Sequence, residues 1–546
     1  EEQNSALVEA LNDAEGRHPH MTEIEPPTLG EDAWHQSSMP LVGNLMQALK
    51  LDVEFNEGLG DRLTIKQNGE QRQILDLVGG YGANLLGHGR SDLKRVAIEA
   101  LNQIPMLDQG SRRSAASHLA AQLSMRVGRE TGRRYVCLLS STGSEAVETA
   151  LKHALFKWRR RCDQVNAEIK VEFGAKHPHA VAACCEQNKR RVNEFQPLLI
   201  ALQGGFHGKT TGALNAMSDE SQRTPFDGLL GARTTFIQRS EFSCPTQILD
   251  QICSREVVRL QRPHAADPEN RVEEVVVSGV FAVIAEPIQG EGGILEVPKS
   301  FFEAVNDHDL PLIADEIQCG LGRSGQFLAT CGVAADYFLM GKALGGGIAK
   351  IAATLVDREV YEDRFDLQTG ATFSSDRLAC AVASKVIEII DIEDVPDRAR
   401  QLGDLLQDRL AVLQRQYPTV VSKVAGRGAM FGIALRLPED SNRFLKELAR
   451  SRLGYVAASF LLNRHGIRVL PTLSSPCVLR IEPSVFMSVP DLNLMVRGLA
   501  DFCTRLAEND VAGLIGHWAY DTLVPSVSGA MVGDKSSPAT ARINNQ

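Results

Sequence analysis

The stretch LPLIADEIQCGLGRSGQF, residues 310–327, places two acids, Asp315 and Glu316, directly after a short apolar run. The apolar residues that precede them predict the end of a buried strand. A carboxylate in such a place is costly unless a cation or hydrogen-bond donors meet it. The stretch therefore predicts that Asp315 faces a positively charged or hydrogen-bonding group.

The sequence around this stretch alternates short apolar runs with helical patterns from Arg134 to Thr354. These runs are YVCLL, LLIAL, FAVIAEP, LPLIAD and DYFLMGKAL. Strands that are buried on both faces and separated by helices predict an α/β domain with a mostly parallel sheet. Ligands of such sheets bind beyond the carboxyl ends of the strands. Later residues, with the strands VAGRGAMFGIALRL and CVLRIEPSV between helical patterns, predict a smaller α+β domain.

The segmentation of the chain follows from these patterns. We predict a polar N-terminal arm (1–35), an N-terminal part of the small domain (36–100), the large domain (101–375), a C-terminal small domain (376–510) and a disordered tail (511–546). The stretch DRLTIKQNGEQRQILDLVGG, residues 61–80, predicts a hairpin. Residues 158–197 resemble an insertion, which we expect to be a solvated helical excursion, with a docking surface as the alternative. QRPHAADPENRVEEVV, residues 261–276, resembles a smaller one.

Composition excludes several classes of function. The 546 residues carry a net charge of −10, which argues against nucleic acid as the main partner. We expect no membrane span and no signal peptide. The eleven cysteines include no CxxC pair, which predicts free thiols and a cytoplasmic location. Because the chain begins at Glu1, we expect a trimmed chain or a part of a longer multidomain polypeptide.

The strand YVCLL is followed by SSTGSEAVETALKHAL, residues 140–155. Its small polar turn places the backbone N–H groups of Gly143 and Ser144 at the positive end of a helix dipole, where an anion binds well. An ordinary helix N-cap explains the same residues, so the turn alone leaves both interpretations open.

Two further strand exits carry an aromatic ring and carboxylates. LLIALQGGFHGK offers Phe206, which can lie against a flat ligand, and His207. Core packing and a structural hydrogen bond are the alternatives for these two residues. VIAEPIQGEGGI adds Glu286 and Glu291 to the edge that holds Asp315, and such a cluster needs cations.

Lys342 follows the apolar run DYFLM and precedes three glycines. It is either a surface residue or a buried amine whose lowered pKa suits Schiff-base formation with a carbonyl. Together, the anion site, the aromatic ring, the acid and the amine match the needs of pyridoxal phosphate (PLP). The residues therefore predict a site for this cofactor at one edge of the sheet.

The sequence resembles the class-III aminotransferases, PLP-dependent enzymes of fold type I. LIADEIQCGLGRSGQF followed by GKALGGG resembles the family signature, and GSEAVETALK, FHGKTTGAL, AEPIQGEGG, TFSSDRLACA and LRIEPSV occur in the family order. The likeness covers about residues 40–510 and is nearest to the ornithine and putrescine aminotransferases. A weaker likeness is to the aminotransferase domain of prodigiosin-type reductase–aminotransferases. The resemblance implies a seven-stranded, mostly parallel sheet and a homodimer with shared active sites.

The resemblance also implies residue roles. Lys342 would bind the cofactor's aldehyde and, once released, move a proton between the substrate Cα and C4′. Asp315 would keep the pyridine nitrogen protonated. The implied cofactor contacts are Gly143, Ser144 and, from the neighbouring subunit, Thr372 at the phosphate, Phe206 stacked on the ring, Gln318 at its phenolic oxygen, and His207.

Two departures from the family pattern concern the substrate. TFSSDRLA at 372–379 stands where the family usually has TFGGNPLA, which keeps Thr372 but changes a crowded turn. Lys209 stands where ornithine-type enzymes carry an arginine that grips the substrate's α-carboxylate. Lysine lacks the bidentate fork of arginine. The substitution favours a primary amine without that carboxylate, or an aldehyde acceptor.

Glu291 and Arg480 match a family pair in which the arginine alternately binds a substrate carboxylate and is covered by the glutamate. The pair implies an amino acid and 2-oxo acid as co-substrates, with an ordinary ion pair as the alternative. Tyr81, in GGYGANLLGHG, is expected to line the substrate pocket. The leading hypothesis is an ω-aminotransferase, either biosynthetic, which we favour, or catabolic for ornithine or diamines. Alternatives are another fold-type-I enzyme, such as a racemase, aminomutase or decarboxylase, and a non-enzymatic regulator.

Overall fold

The computed structural model of the chain describes residues 39–67, 70–103, 110–449 and 452–518. The chain divides into two compact units, Glu1–Val53 and Glu54–Gln546. The described part of the first unit contains helix α1, Pro40–Ala48. This helix begins with a proline, whose missing N–H costs nothing in the first turn. The predicted arm, 1–35, lies outside the described residues.

The second unit contains the elements that build the site. Its described strands are β1 (Phe55–Leu59), β2 (Arg62–Gln67), β3 (Glu70–Asp76), β4 (Tyr135–Ser140), β5 (Leu198–Leu202), β6 (Arg233–Ile237), β7 (Val257–His264), β8 (Asp267–Ser278), β9 (Val280–Ala285), β10 (Ile288–Gln289), β11 (Leu295–Glu296), β12 (Leu312–Asp315), β13 (Tyr337–Met340), β14 (Ala352–Asp357), β15 (Val421–Arg427), β16 (Met430–Leu435), β17 (Ile467–Arg468), β18 (Leu470–Pro471) and β19 (Val478–Ile481).

Helices connect these strands. They are α2 (Ser91–Gln103), α3 (Ser114–Thr131), α4 (Gly143–Phe173), α5 (Pro178–Glu194), α6 (Thr211–Asn215), α7 (Glu220–Arg223), α8 (Pro245–Arg255), α9 (Lys299–Asp307), α10 (Arg377–Ile392), α11 (Val395–Gln416), α12 (Arg443–Ala449), α13 (Leu453–Phe460), α14 (Val489–Ala507) and α15 (Val511–Ile515). None of the described helices is long and apolar enough to span a membrane.

A seven-stranded sheet forms the centre of the unit, in the order β4-β14-β13-β12-β9-β5-β6. Strand β14 pairs antiparallel with both of its neighbours, and the other pairings are parallel. Strands β5, β9, β12, β13 and β14 are buried at every residue, because helices cover both faces. The mostly parallel sheet predicted from the sequence is therefore confirmed, and six of its strands end at the same edge.

Two smaller sheets flank the site, one with the order β1-β2-β3-β17 and one with β15-β16-β19-β18. The predicted hairpin is present, since β2 and β3 pair antiparallel from Arg62↔Leu75 onward. Its turn at residues 68–69 lies outside the described residues. The predicted domain boundaries stay predictions, although the seven-stranded sheet lies within 101–375 and the sheet containing β15 within 376–510.

The two inserted segments pack on each other. The first continues α4 and adds α5, and the second is the antiparallel hairpin of β7 and β8. Asn188 of α5, fully buried, donates from Nδ2 to the carbonyl of Gln261 at 2.7 Å and accepts from its N–H at 2.6 Å. The first insertion is helical as expected, but one of its faces is buried against the hairpin.

The part of the predicted tail that the structure describes contains a helix. We expected disorder from Val511, whereas α15 occupies Val511–Ile515 and buries Leu514. The Asp510 side chain caps this helix by accepting from the N–H of Gly513 at 2.8 Å. Residues 519–546 lie outside the described residues.

Candidate active site

The sheet edge where the parallel strands end collects most of the predicted residues. Asp315 ends β12, and its neighbour strand β13 leads through Gly341 to Lys342. Glu286 follows β9 directly, and Phe206 follows β5 after two glycines. Because neighbouring parallel strands end side by side, residues separated by more than one hundred positions meet here.

Asp315 is bound from two sides. Its Oδ2 lies 2.7 Å from Nδ1 of His207, and its Oδ1 accepts from the N–H of Ile317 at 3.1 Å. Burial acts to lower the pKa of His207, but Asp315 raises it, and the net pKa is raised. The Nε2 of His207 is buried and has no hydrogen-bond partner among the described residues.

Glu286 adds a second carboxylate behind Asp315. It accepts from the N–H of Phe206 at 2.8 Å and of Gly290 at 3.0 Å. Burial and the charge of Asp315 raise the pKa of Glu286 to about 7, against the opposing effect of His207. The edge therefore holds two carboxyls and one imidazole whose charges act on one another.

Glu316 points away from this group. It accepts from the N–H groups of Ala329 and Thr330, each at 2.9 Å. Burial raises the pKa of Glu316 to about 7. Successive residues at a strand end face opposite sides, so Asp315 faces the site and Glu316 holds a loop.

Lys342 occupies a strained backbone position with φ of 44°, in the left-handed region. Its Nζ donates to Oε1 of Gln318. Burial lowers the pKa of Lys342, although the charges of Glu482 and Glu291 act to raise it. A lowered pKa leaves a larger fraction of the amine neutral, which is the form that attacks a carbonyl.

The turn before α4 forms a capping box. The side chain of Thr142 accepts from the N–H of Glu145 at 3.2 Å, while Glu145 Oε2 accepts from the N–H groups of Ser141 and Thr142. The capping box binds the N–H groups of Ser141, Thr142 and Glu145. The N–H groups of Gly143 and Ser144 lie between them, in the first turn of the helix, where an anion binds well. Gly208 lies against this turn, where a Cβ would lie 2.1 Å from Oγ of Ser144.

Arg480 and Glu291 form a buried ion pair. Nη2 of Arg480 lies 2.5 Å from Oε2 of Glu291, and the arginine is only 1% exposed. Burial acts to raise the pKa of Glu291, but Arg480 holds it below its ordinary value. The guanidinium lies 4.8 Å from the ring centre of Tyr81, which is itself 45% exposed. The pair and the tyrosine thus lie together.

Two predicted residues are exposed in the single chain. Lys209 is exposed, and no ion pair joins it to Glu291 or another carboxylate in the described part of the chain. Thr372 is exposed as well, in a loop that follows Gly370. Phe206 lies at the edge and is partly buried.

The sequence analysis missed two buried charged residues. Glu482, in LRIEPSV, has no exposed surface, and its Oε1 accepts from Nε2 of Gln318 at 2.6 Å. Arg323, in GLGRSGQF, is also fully buried and donates to the carbonyls of Gly82, Ala429 and Pro483. Glu482 follows an apolar strand, as Asp315 does, and could have been found by this signal, whereas Arg323 lies between a glycine and a serine and carries no such signal.

These residues fit PLP. Gly143 and Ser144 offer N–H groups to a phosphate, Lys342 offers an amine to an aldehyde, and Asp315 offers a carboxylate to a protonated ring nitrogen. The buried Nε2 of His207 has no hydrogen-bond partner among the described residues, and the glycine at 208 lets the backbone approach Ser144 closely.

The chain belongs to the class-III aminotransferases, because the sequence profile of this family, Aminotransferase class-III, matches residues 48–489. It is therefore a PLP-dependent enzyme with a fold-type-I architecture, and the resemblance seen in the sequence is confirmed.

Solved structures share this fold. An ornithine aminotransferase from Toxoplasma gondii has 20% sequence identity and a TM-score of 0.63, over 92% of this chain and 99% of that one. An amine transaminase from an uncultivated Pseudomonas species, in its PLP-bound form, has 23% identity and a TM-score of 0.64, over 90% and 100%. A transaminase with L-alanine has 21% identity and a TM-score of 0.63, over 83% and 99%.

Proposed function

We propose that this protein is an ω-aminotransferase that moves an amino group between an amino acid/2-oxo acid pair and an aliphatic amine/aldehyde pair. The single observation that carries the proposal is the buried pair of Arg480 and Glu291 next to Tyr81. An arginine that is covered by a movable glutamate can bind a substrate carboxylate in one half-reaction and accept an uncharged chain in the other.

The chain's own residues support both half-reactions. The cofactor supplies an aldehyde that accepts the amino group and a ring that withdraws electrons from the substrate's Cα. Asp315, held by His207, fixes a negative charge where the ring nitrogen would lie. Lys342, with its lowered pKa, is the group that takes a proton from the substrate and returns it.

The amine side is proposed to take substrates without an α-carboxylate. Lys209 is exposed and cannot offer two parallel hydrogen bonds to a carboxylate. We favour the biosynthetic direction, the amination of an aliphatic aldehyde. The structural neighbours, which include an ornithine aminotransferase and an amine transaminase, leave a catabolic enzyme for ornithine or diamines as the alternative.

We also propose a homodimer with shared active sites, in which Thr372 contacts the phosphate in the neighbouring subunit. Large apolar side chains near Thr372 are exposed in the single chain: Leu367 at 87% and Phe373 at 61%. Neighbouring exposed apolar residues are typical of an interaction surface. The net charge of −10 argues against nucleic acid as a partner, and the eleven free cysteines support a cytoplasmic location.

The test begins with the purified protein. Borohydride reduction followed by peptide mapping should place the cofactor on Lys342, and Lys342→Ala should abolish turnover while the protein stays folded. Diamines, ornithine and aliphatic aldehydes, each paired with 2-oxoglutarate or glutamate, then identify the substrate class.

Arg480→Lys is the sharper variant. It is expected to raise KM for the 2-oxo acid, since lysine lacks the guanidinium fork, and to leave KM for the amine within about threefold. If an amino acid alone changes the cofactor's absorbance and no 2-oxo acid restores it, a racemase, aminomutase or decarboxylase becomes the better reading.

A further inference from the structure

Glu482 is a buried carboxylate to which the proposed reaction assigns no role. It follows β19 directly and has no exposed surface. Its Oε1 accepts from Nε2 of Gln318 at 2.6 Å. Its Oε2 lies 3.7 Å from Nη1 of Arg480, and neither of these two atoms has a hydrogen-bond partner among the described residues. Burying such a group is costly unless it compensates nearby charge.

Gln318 connects this carboxylate to the lysine. Its Nε2 meets Glu482, and its Oε1 accepts from Nζ of Lys342. An ionised carboxylate can only accept hydrogen bonds, so the side-chain amide must turn its NH2 group toward Glu482 and its oxygen toward Lys342. Residue 290 must be glycine for this bridge, since a Cβ there would lie 2.3 Å from Oε1 of Gln318.

Glu482 also lies among cations. Arg480 contacts it directly, and Arg323 donates to the carbonyl of the next residue, Pro483, at 2.6 Å. The charged groups that act on Lys342 are Glu482, Glu291, Arg480 and Glu286, and Glu482 has the largest effect of the four. One fixed negative charge thus lies between the substrate arginine and the lysine.

We propose that Glu482 is a positioning residue for Lys342, which orients the Gln318 amide toward the lysine and provides the fixed counter-charge shared by Lys342 and Arg480. This inference rests on the proposed role of Lys342. Glu291 pairs with Arg480 and must leave it when a substrate carboxylate binds. Glu482 is held by Gln318, so the lysine keeps this one counter-charge in both half-reactions although Glu291 moves.

The test measures the pKa of the Lys342 amine in the full chain freed of its cofactor. Competitive labelling with acetic anhydride at a series of pH values, read by peptide mass spectrometry, gives the titration midpoint of this lysine. Glu482→Gln keeps the size of the side chain and removes its charge. The midpoint is expected to fall by about half a pH unit or more, because the ammonium loses its strongest stabilising charge.

Glu316→Gln is the matched control. It also replaces a fully buried glutamate near the site, but Glu316 contacts the N–H groups of Ala329 and Thr330 and has no part in the bridge. In Glu316→Gln, the titration midpoint of Lys342 is expected to equal that of the wild type. Glu482→Asp, which keeps the charge, should restore most of the shift.

A second variant covers the case in which Glu482→Gln does not fold. Gln318→Leu leaves Glu482 in place and removes the acceptor of the Lys342 ammonium, so it should also lower the midpoint. An unchanged midpoint in the folded variants, or an equal shift in Glu316→Gln, overturns the inference.

Borohydride reduction of the holoenzyme, followed by peptide mapping, distinguishes failure of this inference from failure of the proposed function. If the reduced cofactor maps to another lysine, the proposed function fails regardless of Glu482. If it maps to Lys342 and the midpoint does not move in Glu482→Gln, the proposed function stands and Glu482 is a structural ion-pair residue only.

Discussion

Asp315 and Glu316 are adjacent carboxylates with different surroundings. Asp315 meets the imidazole of His207, whereas Glu316 meets backbone N–H groups of a loop. Strand alternation accounts for the difference, because neighbouring residues at the end of β12 face opposite sides. A carboxylate therefore serves the site at one position and the fold at the next.

Asp315→Asn tests the first of these roles. The amide keeps the size of the side chain but loses the negative charge that would hold a protonated ring nitrogen. We expect kcat to fall about a hundredfold or more, with little change in the midpoint of thermal unfolding. Steady-state kinetics and a thermal melt of the same preparation measure both. A variant that unfolds easily yet keeps its turnover would contradict the assignment.

Glu316→Gln tests the second role through pH. The pKa of Glu316 rises from its ordinary value of 4.5 to about 7 in the fold. Between these values the folded protein keeps the proton while the unfolded chain has lost it, so stability falls as pH rises and levels off above about 7.

A glutamine at position 316 does not titrate, so it removes this fall in stability with rising pH. From pH 5 to pH 8, the stability of Glu316→Gln relative to the wild type should therefore rise, by at most about 3 kcal/mol. Chemical denaturation at both pH values measures the difference. If the free energies of unfolding of the two proteins change with pH in the same way, the titrating group is not Glu316.

The sequence predicted the charged residues to which the family resemblance assigns a role, and missed Glu482 and Arg323, to which it assigned none. Asp315 and Lys342 follow apolar strands in a known order, so their positions at the sheet edge could be inferred. Glu482 and Arg323 stand in quoted motifs as well, but their contacts are with Gln318 and with carbonyls such as that of Pro483. No spacing in the chain encodes those contacts.

At the level of elements, the two insertions form one packed structure. Asn188 bridges α5 and β7 through both backbone groups of Gln261. The hairpin of β2 and β3 was predictable, since its turn chemistry is local. The packing of α5 on β7 was not, because it joins segments about seventy residues apart and depends on a single buried amide.

Asn188→Ala should release this contact. The variant leaves a buried N–H and carbonyl of Gln261 without partners, and we expect a loss of about 1–3 kcal/mol in the free energy of unfolding. Turnover by folded protein should change little, as the insertion supplies no residue to the proposed site. Hydrogen exchange of residues 257–264 should rise with the loss. A variant with unchanged exchange and stability would show that the bridge contributes nothing.

The altered turn before α10 offers a second test at this level. Ser375 has a φ of 64°, in the left-handed region that glycine tolerates best. Ser375→Gly should therefore stabilise the protein by about 0.5–1 kcal/mol. Ser374→Gly is the control. The φ of Ser374 is not positive, so glycine there only adds freedom to the unfolded chain and should destabilise by a similar amount. If both substitutions change the stability in the same direction, the backbone at Ser375 is not strained in the way proposed.

For the whole molecule, the fold was predictable because buried strands between helices permit few arrangements. The order of the seven strands and the antiparallel direction of β14 did not follow from the apolar pattern, since parallel and antiparallel buried strands look alike in sequence. The family resemblance supplied the strand number. The proposed association of two chains would depend on the surface of the protein and not on its core, so the apolar pattern of the buried strands does not predict it.

Leu367 and Val171 provide a matched test of that association. Each is 87% exposed in the single chain, Leu367 close to Thr372 and Val171 on the inserted part of α4. If the neighbouring subunit covers the loop around Thr372, Leu367→Asp places a charge in an apolar contact and should raise the dimer dissociation constant about tenfold or more. It should also weaken PLP binding, since Thr372 of the other subunit would no longer reach the phosphate.

Val171→Asp should change neither the dimer dissociation constant nor the affinity for PLP. Sedimentation over a concentration range and a cofactor titration by absorbance measure the two effects. Loss of the dimer with unchanged PLP affinity would show that Thr372 of the neighbouring subunit does not contact the phosphate.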